Sequence, residues 1–370
     1  MNRSIVPEPV ARQPWQIILP LVALVALGSA VLYSASGGHL QPWALTHFLR
    51  FAVFLAMALI MARIPRDLFK MAAYPIYGAI IVLLVLVELL GAMGGGSQRW
   101  LNLGFMTLQP SELMKPAIVL VLARFYGSLP AGVTASWRGL APAAGLVALP
   151  AALVLLQPDL GTALAICFAG GVVMFLAGLP LRWFVGAGLA GAVAAPLAFF
   201  AVLHDYQRRR VTTFLDPESD PLGAGYHITQ SKIAIGSGGI MGKGFGNGSQ
   251  SHLEYLPEAH TDFVFATMAE EWGMLGGLFV LFVFAIVLNW GIRVARGGTD
   301  RFSRLLAAGM TMTIFFYIAV NLMMVMGLAP VVGIPLPFMS HGGSSMMTVM
   351  ICVGAIMAVD RWRQRPTGLT

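Results

Sequence analysis

The run Leu253-Glu254-Tyr255-Leu256-Pro257-Glu258-Ala259-His260-Thr261-Asp262-Phe263 sets three carboxylates and an imidazole just before a long apolar helix, Phe263–Ile292. An apolar stretch of that length is the unit of a membrane crossing. The run closes a longer segment, His204–Gly273, where a chain otherwise almost bare of charge gathers most of its polar chemistry. If the protein is an enzyme, its chemistry belongs there.

Only 11% of the 370 residues are charged and 58% are hydrophobic, whereas soluble domains carry roughly a quarter charged residues. With a mean hydropathy of +0.78, a soluble globular protein is excluded. Backbone groups cannot be left unpaired in lipid, so the apolar runs must be helices. The formal charge of +7 would suit nucleic acid, but the basic residues sit in short clusters at helix ends, as orientation in a bilayer requires. Cys167 and Cys352 lie inside apolar segments, which favours packed-core roles over a disulfide. Arg12 precedes the first apolar run in the manner of a signal peptide; because so many spans follow, the segment reads as a retained signal anchor.

Apolar runs between charged or Pro/Gly-rich breaks number about ten. They are Ile17–Tyr33, Phe48–Met61, Met71–Leu90, Leu113–Tyr126, Leu140–Leu156, Leu160–Leu179, Phe184–Leu203, Phe263–Ile292, Phe302–Met326 and Gly343–Val359. Arg63, Arg66 and Lys70, then Arg124 and Arg138, Arg182, the Arg293–Arg304 cluster and Arg361–Arg365 all fall on one side. By the positive-inside rule that side is cytoplasmic, and both termini are inside. The expectation is an all-α polytopic membrane protein of about ten transmembrane helices, one integral domain over 1–370, with a long ordered extracytoplasmic loop (about 204–262) between helices 7 and 8. A structureless loop of that length would be unusual, and functional loops are the common exception. Its Tyr226–Gly236 portion reads as a short amphipathic helix suited to the membrane interface. Its basic residues Arg208, Arg209, Arg210, Lys232 and Lys243 face outward against the orientation rule and ask for a reason.

Asp262 directly precedes the helix beginning near Phe263, so it can cap that helix and sit at the positive end of its dipole. An ionised carboxylate there, with Glu258 and His260 at hand, can act as general base toward a hydroxyl; a plain N-cap is the bland alternative. His252, Glu254, Glu258, His260 and Asp262 match no compact zinc signature. A Mg²⁺ or Mn²⁺ ion bound together with a phosphate ligand fits better, and no organic cofactor is expected.

A second outward cluster joins Gln98-Arg99-Trp100-Leu101-Asn102 to Gln109-Pro110-Ser111-Glu112-Leu113-Met114-Lys115-Pro116. Ser111 can cap the fourth helix, and Glu112 and Lys115 share a face. Ionisable residues entering a transmembrane helix mark a functional path by default, although the pair can also merely neutralise itself. Gln157-Pro158-Asp159 reads as a connector turn, and Pro335–Ser345 as a re-entrant turn exposing backbone to a cavity. The run Gly236–Gly244 lacks a phosphate-loop context and reads as flexible loop backbone. Glu88 and Asn321 read as interhelical hydrogen-bonding residues rather than catalytic groups.

Taken together, Gln109–Lys115 (QPSELMK), Gln157–Thr162 (QPDLGT), Leu215–Gly239, Leu253–Glu271 (LEYLPEAHTDFVFATMAEE) and Val331–Ser345 (VVGIPLPFMSHGGSS) resemble the SEDS family, the shape, elongation, division and sporulation proteins. The resemblance runs from the first span to the last. LPEAHTDFVFA is shared with the division paralogue, whereas the DPESDPLGAGYHITQSKIAIGSGG stretch and GIPLPFMSHGG resemble the elongation member. His341 departs from the tyrosine expected before the glycine pair, which leaves a hydroxyl role there without support.

The resemblance implies a peptidoglycan glycosyltransferase of the bacterial cytoplasmic (inner) membrane, polymerising lipid II into a growing glycan strand on the outer face. It also implies a class B penicillin-binding protein as transpeptidase partner, within the elongation complex and in contact with membrane lipid, and no nucleic acid. It assigns Asp262 as the essential acidic residue and makes Glu112 and Lys115 functionally sensitive. An α-linked donor giving a β-linked product requires inversion, hence one base and a site for the pyrophosphate charge. Arg99, Lys115, Arg208 and Arg210, or a divalent cation, are the candidates for that charge. Lys232, Glu258, His260, Asp159 and Ser344 complete the expected substrate-binding set. A lipid II flippase would need a polar path reaching both faces, and a non-catalytic scaffold would need neither Asp262 nor the basic loop.

Overall fold

An unpaired backbone group in hydrocarbon costs several kcal/mol, and a helix is the local way to pair every one. The apolar runs accordingly fold as helices. The computed structural model describes residues 13–364 apart from 91, 95–96, 103–106, 202–207, 209–211, 215, 217–223, 253–254, 257 and 259. In chain order the helices are α1 (Trp15–Ala35), α2 (Ala44–Met61), α3 (Arg66–Leu90), α4 (Pro110–Ser128), α5 (Trp137–Leu156), α6 (Leu160–Leu176), α7 (Leu181–Ala201), α8 (Ala224–Gly238), the single turn α9 (Ser249–His252), α10 (Val264–Arg296), α11 (Arg301–Val325) and α12 (Gly343–Gln364).

Seven of these are long and apolar enough to cross a membrane, and α6 and α7 are shorter apolar helices. The tenth, α4, carries Glu112, Lys115 and Arg124 but is buried among its neighbours over most of its length. Ten helices therefore stand where ten spans are expected, and the chain is a multi-pass membrane protein. The all-helical expectation misses one detail. In the α3–α4 connection, β1 (Ala92–Gly94), β2 (Ser97–Asn102) and β3 (Thr107–Leu108) form an antiparallel ribbon in the order β1-β2-β3.

Helices α4 and α11 form the centre. The first packs on α3, α6 and α11; the second on α4, α6, α10 and α12. The basic clusters converge at one end of the bundle. Lys70 donates to Asp300 at 2.9 Å, Arg301 reaches the carbonyls of Leu129 and Ala177 and the Thr134 hydroxyl, and Trp362 donates to the Ile64 carbonyl. Cys352 is buried as expected, but Cys167 faces out of the bundle on α6, and neither forms a disulfide.

At the opposite end, residues 327–342 re-enter the bundle without helical structure. Leu336, Phe338 and Met339 are buried there. Irregular backbone at this depth survives only with its polar groups satisfied. Asn321 Nδ2 donates to the Ile334 carbonyl, His47 Nε2 to that of Phe338, and the Leu336 amide to Ser340 Oγ. Helix α1 presses against this segment at Gly28, where a Cβ would lie 2.6 Å from Met339 Cα.

The eighth span, expected as one helix, is broken at Gly273 (φ 63°, ψ −161°). The Gly-rich run expected to be flexible is the partner of that break. The Lys243 and Gly244 amides donate to the Glu270 and Glu271 carbonyls, and the Met274 and Leu275 amides to those of Gly239 and Ile240. The run is thus an ordered strap replacing hydrogen bonds that the helix forfeits. Helix α8 leads into it and docks on α10 and α11, burying Ile228 and Ala234 and donating from Ser231 Oγ to the Val325 carbonyl at the end of α11.

Candidate active site

Asp262 lies at the end of the bundle opposite the basic loops, in the turn before α10. The N-cap position is held by Phe263, without a side-chain cap bond. The turn over residues 261–263 sets Asp262 one residue before that position. The Asp262 carbonyl accepts from Asn321 Nδ2 at 2.9 Å, and the same amide holds Ile334. One buried asparagine of α11 thereby fixes both the turn and the re-entrant segment. The Asp262 carboxylate points toward that segment, with Oδ2 3.6 Å from where a Cβ on Gly333 would stand.

His260, two residues earlier, stacks on Trp43 with ring centroids 4.1 Å apart, and its carbonyl accepts from the His341 amide at 2.9 Å. Arg50 of α2 donates to His341 Nε2 at 3.2 Å and lies against Gly343, the first residue of α12. An arginine only donates, so Nε2 must accept. Burial, the Arg50 charge and His260 hold the His341 imidazole down to about 4. Burial also lowers His260, against the raising influence of Glu258. Both rings are neutral near pH 7, and the positive charge of this corner is that of Arg50. Glu258 is exposed, accepting from Thr261 Oγ1 at 2.8 Å and standing 4.0 Å from His260 Nε2.

The second cluster lies deeper. Lys115 Nζ donates to Glu112 Oε1 at 2.6 Å and to the Tyr317 hydroxyl at 2.8 Å, while that hydroxyl donates to Glu112 Oε2. Lys115 is 1% exposed and lies 4.5 Å above the Tyr317 ring. Tyr317 is one helical turn below Asn321 on α11, about 6 Å along the axis. A column of polar groups thus descends from Asp262 through Asn321 to the Glu112–Lys115–Tyr317 triad. Ser111 does not cap α4, because the helix begins at Pro110 with Gln109 in the cap position.

The remaining expected residues take separate places. Asp159 caps α6 by accepting from the Thr162 amide at 3.1 Å and accepts from Gln109 Nε2 at 3.3 Å, tying the QPSELMK and QPDLGT turns together. Ser344 stands in the first turn of α12. Lys232 on α8 lays its stem over Gly327, and Arg208 donates to the Phe200 carbonyl at 2.7 Å. Arg210, Glu254 and the side chains of Arg99 and His252 lie outside the described residues. Among the described residues no three His, Cys, Asp or Glu converge as a metal site.

Sequence reasoning missed Arg50, His47, Trp43 and Tyr317, and set Asn321 aside. An arginine six residues inside an outward helix start was a usable signal for Arg50. Nothing in the sequence says that Tyr317 meets α4.

The family model described as cell cycle protein, grouping FtsW, RodA and SpoVE, matches residues 14–365. The peptidoglycan glycosyltransferase MrdB of Escherichia coli K12 is 42% identical over 348 residues, 94% of this chain and 93% of its own. The chain belongs to the SEDS family, on its RodA branch. Another SEDS relative, stage V sporulation protein E of Bacillus subtilis, is 38% identical over 76% of each chain. The rod shape determining protein RodA of Thermus thermophilus matches this SEDS fold with a TM-score of 0.72 at 29% identity, covering 96% of this chain and 98% of its own. A chain from a structure on the coordination of polymerization and crosslinking by a peptidoglycan synthase complex reaches 0.80 at 33% identity, covering 96% and 99%.

Proposed function

We propose that this SEDS protein is a peptidoglycan glycosyltransferase that polymerises lipid II, with Asp262 as general base. The observation that carries the reading is the pairing at the outer end. Asp262 is held by Asn321 on one side, and its own turn is hydrogen-bonded through His260 and His341 to Arg50. A carboxylate and a guanidinium thus belong to one hydrogen-bonded assembly at that end.

In the reaction an acceptor sugar hydroxyl gives its proton to the Asp262 carboxylate as its oxygen attacks the donor's anomeric carbon. The new glycosidic bond forms on the face opposite the leaving group. The bond to pyrophosphate breaks and its electron pair leaves with the phosphate, which Arg50 and the amide end of α12 stabilise. Lys115, engaged by Glu112 and Tyr317, then holds the helices that frame the site rather than the phosphate. A Mg²⁺ or Mn²⁺ ion in this reading takes most of its ligands from the substrate's phosphates. The lipid chain has a berth in an apolar groove of about 640 Å³ between α2, α3 and α4, reaching Leu113 and Pro116.

In this reading residues 1–370 act as one integral unit of the bacterial inner membrane, the basic end is cytoplasmic, and a class B penicillin-binding protein crosslinks the strands made. The test is glycan synthesis from purified lipid II with that partner. Asp262→Asn should lower kcat at least about 100-fold while lipid II binding and folding persist. Unchanged kcat would remove Asp262 as base, and lipid II translocation without polymer from the wild type would replace the enzyme by a transporter.

A further inference from the structure

The break in α10 leaves a half-helix, residues 264–272, that carries Asp262 at its outer end and is not held in line by the remainder of the span. Something else must set its direction. Glu270, near the inner end of this half-helix, is 0% exposed and accepts from three donors. Lys243 Nζ donates to Oε1 at 2.6 Å and Ser249 Oγ at 3.0 Å, and the Gln250 amide is shared between Oε1 and Oε2. One carboxylate therefore joins the strap, α9 and the half-helix.

The glycines around it permit contact at backbone distance. A Cβ on Gly238 would meet the Ala269 carbonyl oxygen at 2.1 Å, one on Gly242 the Glu271 carbonyl oxygen at 2.1 Å, and one on Gly273 the Gly242 nitrogen at 2.3 Å. Positive φ at Gly242 and Gly273 is required as well. Four backbone bonds across the break complete the clasp. Three donors converge on Oε1 of this buried carboxylate, and among the described residues its charge is paired with Lys243.

We infer that Lys243 and Glu270 are positioning residues: their ion pair locks the strap to the half-helix and so sets where Asp262 stands against the re-entrant segment. A carboxylate displaced by about 1 Å loses on the order of 100-fold in rate without losing substrate. The inference rests on the reading of Asp262 as the base.

The test compares Lys243→Met, Lys243→Arg and Gly242→Ala in the full chain with its transpeptidase partner, by lipid II polymerisation and by hydrogen exchange. In Lys243→Met we expect kcat to fall at least about tenfold with KM for lipid II within about twofold, and faster exchange over residues 262–272 alone. Lys243→Arg should restore most of both. Gly242→Ala, which forces the strap away without touching a charge, should repeat the Lys243→Met pattern. Normal kcat in Lys243→Met, or exchange unchanged in that segment, overturns the inference. Polymerisation by Asp262→Asn would instead remove the base, and the exchange result would still report whether the clasp exists.

Discussion

At the residue scale, the most consequential arrangement is the Glu112–Lys115–Tyr317 triad. Two charges withdrawn from water cost several kcal/mol each, recovered only through close pairing and further hydrogen bonds. Here the ammonium has the carboxylate at 2.6 Å and the phenol at 2.8 Å, and the phenol bonds back to the other carboxylate oxygen. Removing one partner strands the other. We expect Lys115→Met to cost about 3–5 kcal/mol, read as a lower melting temperature in detergent, and Glu112→Gln with Lys115→Met to recover part of it. Additive losses in the double variant would show that the two act separately. The i, i+3 spacing of Glu112 and Lys115 was legible in the sequence. Tyr317 was not, since a tyrosine inside an apolar run looks the same whether it faces lipid or an ion pair.

At the element scale, α11 begins on Asp300, whose Oδ1 accepts from the Ser303 amide at 3.0 Å while Oδ2 accepts from Lys70 and faces Arg66 at 3.5 Å. Burial pushes the Asp300 carboxyl up, but the hydrogen bonds from Ser303 and Lys70 and the Lys70 charge outweigh it, and its pKa ends below the ordinary value. A carboxyl depressed in the folded state stabilises fully above its unfolded pKa, near 3.9, and loses that contribution as pH falls through the folded value. Thermal stability should therefore decline below about pH 4. Asp300→Ala should cost about 1 kcal/mol at neutral pH through the lost cap and show a shallower acid decline; an identical acid profile would place the titration elsewhere. Sequence reasoning passed over Asp300, although an Asp just before an apolar run is a helix-start signal. The break in α10 carried no such signal, because the strap that makes Gly273 tolerable lies some thirty residues earlier in the chain.

At the scale of the whole molecule, the loops bearing Lys70, Thr134, Ala177 and Arg301 meet at one end, and the strap, the re-entrant segment and Asp262 gather at the other. In the proposed orientation the first end is cytoplasmic. In a Cys167→Ser background, a cysteine at the exposed position 247 should react with a membrane-impermeant thiol reagent on intact cells, and one at the exposed position 135 only after permeabilisation. The reverse pattern would invert the chain and place Asp262 on the wrong face for an outward polymerase.

The sequence alone determined the ten spans, their order and which loops share a side, because burial in lipid acts on each run independently and leaves its mark in composition and charge. It also marked Asp262, Glu112 and Lys115, since charge in so apolar a chain is conspicuous. Only the tertiary structure decided that Asn321 holds Asp262 by its carbonyl, that Arg50 meets His341 across the re-entrant turn, and that a glycine strap splints a broken helix. Each depends on groups distant in sequence meeting at hydrogen-bond range. No local pattern encodes which distant partner will satisfy a buried polar atom; packing the helices does.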